Sequence, residues 1–585
     1  MKISKTMFKE FSRCNRVYHL DELYKKQGFS SKFDLDNEEI LEILNLMFDS
    51  EGEDLIADNA KVEAMMEYYN EVEVLAMEMA KEKFNLNILY GDTFKSQAKC
   101  FFVDEANHEF YSYLDGFSIE KDTVYAFEVK ATTSKKFREE FKTKDSGKES
   151  LFIYNHLDVL VFNPNFIQTK HVEKLFNKLG DIGMYIYDCA ITYYYLKNDL
   201  KYKDKKVKFY LAVLNSDYVY DGSLINKENK DFKKVIDYID ITSILEEYYP
   251  TIFKEKELLV NNLKLKEIPK LVYGKKCGFK GQECKFFPVC WEKLKGRGSI
   301  LEYFRVTASS KIDLYEKLNN EETSLLDVED INLTPNQLIQ KEVFISGSVH
   351  MNKEKISKAI SLIKHPIYYL DFETFASPLP RFIGEKPYAQ SLFQYSLHVE
   401  KTPFKCDFDK DHYEYLVKDA KDYRRELIEK LIKDIDLKKG GSVIVYNASF
   451  ESTRLKEMAL IFPEYEKEIN KIRDSLFDLQ NLLKAKSSLY EALGYDEEEA
   501  KINPYYHNDL AGSYSIKKVL PIFSNLTYSS LDIKNGGEAI IAYAMLARLE
   551  KEDREILRSN LIKYCKQDTW AMVLILHNII KEIRR

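Results

Sequence analysis

The residues with the clearest chemistry are acidic and fall in three blocks of the 585-residue chain. Asp371 and Glu373 stand two apart in Pro366-Ile-Tyr-Tyr-Leu-Asp-Phe-Glu-Thr. The apolar run before them reads as a buried strand, on which alternate side chains share a face. Two carboxylates held side by side repel unless a cation lies between them, so the pair calls for a divalent metal. Tyr564 and Asp568 are four apart on an apolar-periodic stretch and so share one face of a helix. Between these blocks, Val443-Ile-Val-Tyr-Asn-Ala-Ser-Phe-Glu451 is another apolar strand running into Asn447 and a carboxylate. A metal ion held by such a set can activate water.

A second constellation lies in the N-terminal half. Asp115 ends one strand-like run, and Glu128 and Lys130 face the same way on the next. A hairpin of this length can set Asp115 beside Glu128, making a metal-plus-cation site in which Lys130 orients water or stabilises phosphate. Upstream, residues 70–84 pattern as a helix that can present Glu71 to the same place. The cysteines form a third group. Cys14 lies near the start, and Cys277, Cys284 and Cys290 follow the acidic residues with six and five residues between them. Four thiolates at these positions suit a [4Fe–4S] cluster, with a four-cysteine zinc site as the alternative.

These residues need at least two folded bodies to hold them, since 585 residues exceed what one core supports. A hydrophobic content of 45% with 31% charged residues is that of a globular chain. No apolar run approaches the ~20 residues of a membrane span, and the N-terminus lacks the apolar centre of a signal peptide. The expected setting is a reducing cytoplasm without membrane contact, with the cysteines free or metal-bound rather than in disulfides. The formal net charge of −8 runs against a nucleic-acid partner, which local basic patches must then engage. Runs 135–144 and 201–208 interleave cations with aromatics and are candidates. So are Lys517 and Lys518 beside a Gly-Ser turn. Asp478 reads as structural, with an accessory acid as the alternative. The stretch from Ser30 to about Asn70 is acidic and helical in pattern, and would be an insertion over the first core. Residues 296–360 read as a helical connector, with Thr334 as a helix cap.

The three C-terminal blocks, in this order, resemble the DnaQ-like exonuclease superfamily in its subclass with Tyr in the last motif. The resemblance implies an RNase H-like domain over 361–585. Asp371, Glu373, Glu451 and Asp568 would hold two Mg2+ or Mn2+ ions there, and Tyr564 would position the attacking water. The second motif ends in Glu451 where the superfamily usually has Asp. The N-terminal residues resemble the RecB-like branch of the PD-(D/E)xK nucleases, in the group whose four cysteines hold a [4Fe–4S] cluster. That implies a restriction-endonuclease-like domain over 1–295, with Glu71, Asp115, Glu128 and Lys130 at its site. The helix Asp188-Cys-Ala-Ile-Thr-Tyr lacks the Gln that this branch places four residues before Tyr. The whole chain resembles a bacterial tandem nuclease family of α/β architecture. The implied function is hydrolysis of DNA, 3′ to 5′ on single strands, in repair, recombination or defence. An RNA-processing exonuclease and a catalytically decayed nucleic-acid-binding adaptor are the alternatives.

Overall fold

A computed structural model of the chain describes residues 1–26, 59–91, 97–143, 147–223, 234–278, 283–309, 311–546 and 549–585. It is mixed α/β and divides into two compact units. The first holds residues up to Cys290 together with Ser377–Ala389, and the second runs from Trp291 to Ala376 and from Gln390 to Arg585. Of the acidic stretch Ser30–Asn70, residues 30–58 lie outside the described residues, and a helix takes up the remainder.

In the first unit, strand β1 (Lys2–Ser4) leads directly into helix α1 (Lys5–Arg13), whose N-cap Ser4 accepts from the Met7 N–H. Helix α2 (Asn59–Phe84) follows, then β2 (Ala98–Val103), β3 (Glu109–Leu114), β4 (Gly116–Glu120) and β5 (Thr123–Thr133). Strands β6 (Phe152–Tyr154) and β7 (Leu160–Phe162), helix α3 (Asp181–Asn198), strands β8 (Lys206–Leu214) and β9 (Ile236–Asp240) and helix α4 (Thr242–Leu263) complete it. The main sheet runs β4-β5-β8-β9-β7-β6, with β5 and β8 parallel at its centre. Strand β5 is buried on both faces from Ala126 to Thr132, so any charge it carries there must find partners inside the fold. The segment Ser377–Ala389 is tied to this unit by paired backbone bonds, Tyr220 N–H to Glu385 O and Gly384 N–H to Tyr220 O, both 2.8 Å.

The second unit takes in the whole stretch read as a connector. Helix α5 (Pro335–Ser346) starts as the sequence indicates, with Thr334 and Gln337 forming a capping box. The strand β10 (His350–Met351) pairs antiparallel with residues 505–506, so residues 296–360 are built into this unit. Its main sheet contains β11 (Ile367–Ala376), β12 (Gln390–Glu400), β13 (His412–Leu416), β14 (Ser442–Val445) and β15 (Leu476–Asp478) in the order β13-β12-β11-β14-β15. Strand β12 runs antiparallel to both of its neighbours, β11 and β13, while β14 and β15 run parallel to β11. Helix α6 (Ser449–Ile461) follows β14, and α7 (Lys551–Arg584) closes the chain.

A polar seam fixes α7 on this sheet. Four alternate residues of β12 share one face, and each meets the helix or its anchors. Gln394 donates to Leu561 O at 3.1 Å, Ser396 and His398 both reach the Thr569 hydroxyl at 2.8 Å, and Glu400 takes the His577 ring at 2.5 Å. All four β12 side chains are buried. Glu400 also accepts from the Tyr369 hydroxyl, the His365 ring and the Phe404 N–H. Burial alone would raise its carboxyl, but the bonds from His577 and His365 bring it down to about 2. Burial lowers His398 to about 4, so it stays neutral within the seam.

An unfolded glutamate titrates at about 4.3, so Glu400 contributes stability that is complete above that pH and is lost as pH falls toward about 2. Glu400→Gln should therefore destabilise the fold by ~3 kcal/mol at pH 7, read as a lower urea midpoint. The gap to wild type should narrow as the pH drops below about 4.3. A gap that stays constant with pH would contradict this.

Candidate active site

In the second unit, Asp371 and Glu373 lie on the same face of the central strand β11. Glu373 is buried and Asp371 half-buried. A bulge between Glu373 and Thr374 shifts the pairing with β12 immediately after the acidic pair. Helix α7 adds three groups. Cys565 is fully buried, and its Sγ donates to Asp371 Oδ2 at 3.4 Å. Asp568 and Tyr564 are buried on either side of it in sequence. Ligand atoms of Asp371, Glu373 and Cys565 lie within 4.8 Å of one another, as a shared cation requires. Burial pushes the Cys565 thiol well up, and the charges of Asp371, Glu373 and Asp568 push it further. Asp568 and the two strand carboxylates thus all act on the same thiol.

Two residues that sequence spacing does not reveal complete this site. The Tyr528 hydroxyl donates to Asp568 Oδ1 at 2.5 Å, and its ring centroid lies 6.2 Å from that of Tyr564. Lys517, one of the two lysines after the Gly-Ser turn, lies over the Tyr528 ring at 5.7 Å. The other is Cys565, hidden in sequence between Tyr564 and Asp568. Glu451 sits in the first turn of α6, immediately beyond the parallel neighbour β14, and is buried. A carboxylate there is favoured by the helix dipole. It is not among the atoms gathered around Cys565. The turn that delivers it holds Asn447 at φ 69°, and Asp478 fastens that turn by accepting from the Asn447 N–H at 3.1 Å and the Gln480 N–H at 3.0 Å. Asp478 is thus the structural residue the sequence suggested.

In the first unit, Asp115 occupies the β3–β4 turn and accepts from the Val129 N–H at 2.8 Å, which places it beside β5. Glu128 and Lys130 on β5 are buried, with Lys130 Nζ 3.0 Å from Glu128 Oε1. Helix α3 does reach this site, through Asp188, whose Oδ2 lies 3.1 Å from Lys130 Nζ. Burial would raise the Asp188 carboxyl, yet Lys130, Lys5 and Lys9 hold it well below its ordinary range. Asp115 moves the opposite way, raised by burial and then by Glu128 and Glu73. Glu71 requires correction. It is exposed, and the residue of α2 that acts on Asp115 is Glu73. Residues two apart on a helix are separated by about 200°, so only one of them can face the sheet. The buried stripe Val72, Ala76, Met79 and Ala80 fixes which.

At the far end of α1, Cys14 and Cys277 lie within electrostatic reach of Cys284 and Cys290, although among the described residues no three of these sulfurs close to within 4.8 Å of one another. Cys14 is the C-cap of α1. Arg13 donates to Lys276 O at 2.6 Å, and the Cys284 N–H bonds Cys277 O at 3.0 Å. Burial pushes Cys284 up to about 11, and both it and Cys290 are raised further by Cys14 and Cys277. In the basic runs Lys135, Lys136, Lys142, Lys201, Lys203 and Lys206 are exposed, and two members pair with acidic groups of the fold. Arg138 bonds Asn215 and Asp217 and lies over Tyr154, and Lys208 pairs with Asp240. Lys144 lies outside the described residues.

Residues 368–515 match the profile of a domain described as "Domain of unknown function (DUF2779)". The chain is 29% identical over 245 residues to "Uncharacterized protein MG366" of Mycoplasma genitalium, covering 39% of this chain and 34% of that protein. It is 25% identical over 261 residues to "Uncharacterized protein UU173" of Ureaplasma parvum, covering 42% and 35%. The chain thus spans about a third of the length of these curated relatives. No solved structure matches it. No helix among the described residues is long and apolar enough to cross a membrane.

Tyr528→Phe should remove a hydrogen bond to a charged acceptor and lower stability by ~1.5–3 kcal/mol, measured by chemical denaturation. An unchanged midpoint would show that the hydroxyl does not serve Asp568.

Proposed function

We propose that the protein is a metal-dependent nuclease whose second unit hydrolyses DNA from the 3′ end of single strands. One observation carries this reading. Asp371 and Glu373 on the central strand meet a helix bearing Tyr564 and Asp568, and their ligand atoms close to within 4.8 Å of Cys565 Sγ. A five-stranded mixed sheet with the acidic pair at its centre supports an RNase H-like domain. The donor set is dominated by carboxylate oxygens, which suits Mg2+ or Mn2+. Asp371, Glu373 and Asp568 would hold these ions, with Glu451 contributing from the head of α6. When bound, the ions supply water activation and neutralise charge at the phosphate. Tyr564 holds the attacking water in line, and Tyr528 keeps Asp568 oriented by hydrogen bonding.

For the first unit we propose a RecB-like PD-(D/E)xK domain that grips or cuts the same substrate. Glu128 Oε2 is buried and has no hydrogen-bond partner among the described residues, and the Asp115 carboxyl is destabilised by its acidic neighbours. Both features fit a cation held by Asp115, Glu128 and Glu73. Cys14, Cys277, Cys284 and Cys290 would hold a [4Fe–4S] cluster; that Cys14 and Cys277 act on the Cys284 and Cys290 thiols supports their nearness. All eight cysteines are free, which fits a reducing cytoplasm.

With single-stranded DNA labelled differently at its two ends, Mg2+ or Mn2+ should support stepwise loss from the 3′ end, and Asp371→Ala should slow it by at least about a hundredfold. Cleavage that survives the substitution would move the chemistry to Glu128 and Lys130. Cleavage of RNA alone would change the substrate, and binding without turnover would favour the adaptor. Anaerobically purified protein should carry iron and sulfide with visible charge-transfer absorbance, lost in Cys14→Ala. Stoichiometric zinc without colour would overturn the cluster.

A further inference from the structure

The first unit's site contains a second lysine that its motif does not supply. Lys5 opens α1, and its Nζ lies 2.7 Å from Glu128 Oε1 and 3.1 Å from Asp188 Oδ2. Lys130 Nζ lies 3.0 and 3.1 Å from the same two oxygens. Two ammonium groups and two carboxylate oxygens therefore alternate around a closed ring. The Lys130, Glu128 and Asp188 side chains are each at most 7% exposed, and that of Lys5 is 18% exposed. Lys9 adds a third cation 3.5 Å from Asp188 Oδ1.

The ring holds two like charges at close range. Each ammonium is retained only because it bridges both carboxylates. Lys130 is fixed, since it stands on a strand buried on both faces. Lys5 is the more accessible, and it stands on the first helix beside a three-residue strand. It also takes an oxygen of Glu128 that a divalent ion would otherwise share with Oε2.

We propose that Lys5, bridging Glu128 and Asp188, is an internal cation that stands in at Glu128 for a divalent ion. It keeps metal binding at the first unit's site weak until an anionic phosphodiester draws the ammonium away. This rests on reading Asp115 and Glu128 as ligands of a divalent cation. Lys5 is a positioning residue here: by bonding Glu128 Oε1 it presents Oε2, and by leaving for phosphate it removes one of the two ammonium charges beside Glu128, with Lys130 left on Oε1. Metal entry and substrate entry are thereby coupled at one side chain.

The test uses the full-length protein carrying Asp371→Asn and Glu373→Gln, which disables the second unit's site. Mn2+ binding is followed by electron paramagnetic resonance. Lys5→Met should tighten Mn2+ binding by at least about tenfold, the scale of removing a unit charge a few ångströms from the ion, whereas Lys5→Arg should leave it weak. A short single-stranded oligonucleotide should tighten Mn2+ binding to the Lys5 protein and add little in Lys5→Met. A purely structural lysine would lower stability without raising metal affinity. Binding by Lys5→Met that is no tighter than with Lys5 would overturn the proposal. Absence of Mn2+ binding in every variant, with or without oligonucleotide, would instead overturn the reading of Asp115 and Glu128 as metal ligands. If Lys5→Met fails to fold, as judged by circular dichroism, Lys5→Gln carries the same comparison with a side chain that still hydrogen-bonds.

Discussion

The second unit depends on burying polar side chains between a strand and the helix that covers it. Strand β12 offers Gln394, Ser396, His398 and Glu400 from one face, and α7 answers with Leu561 O, Thr569 and His577. Buried polar atoms are costly unless paired, so a helix shifted by one turn would break every bond of the seam together. Hydrophobic contact alone tolerates sliding, but this seam does not. Because Asp568 precedes Thr569 directly, the bonds that hold Thr569 also fix the turn of α7 that carries Asp568. Glu400 extends the same register to Tyr369, two residues before Asp371.

The two units meet the same electrostatic problem by different means. Each buries several carboxylates around a central strand. In the first, lysines from α1 and β5 are shared between Glu128 and Asp188. In the second, the described donors to the carboxylates include two neutral groups, the Tyr528 hydroxyl and the Cys565 thiol.

What the sequence made legible follows from distance along the chain. Asp371 with Glu373, and Glu128 with Lys130, are two apart on strands, and a period of two needs no tertiary knowledge. Tyr564 with Asp568 is equally local on a helix. Lys5, Asp188 and Tyr528 escape that logic, because the groups they serve lie tens to hundreds of residues away. Glu71 and Glu73 show a subtler limit: both lie on the expected helix, and only the packing of Val72, Ala76 and Met79 selects the second. The alternation Gln394-x-Ser-x-His-x-Glu is misleading in the opposite sense. Polar residues at every second place normally mark a solvated strand face, and here all four are covered by α7.

The excursion Ser377–Ala389 leaves the second unit's sheet between two adjacent strands and completes the first unit through Tyr220, Gly384 and Glu385. A polypeptide made from its N-terminus must therefore reach residue 389 before the first unit has all of its parts. By then β11 and its acidic pair have already been synthesised. The two bodies cannot mature strictly one after the other on the ribosome, and a cut anywhere between residues 290 and 377 leaves the first unit incomplete. Their segments are interleaved along the chain, so a truncation in that interval separates neither unit cleanly from the other.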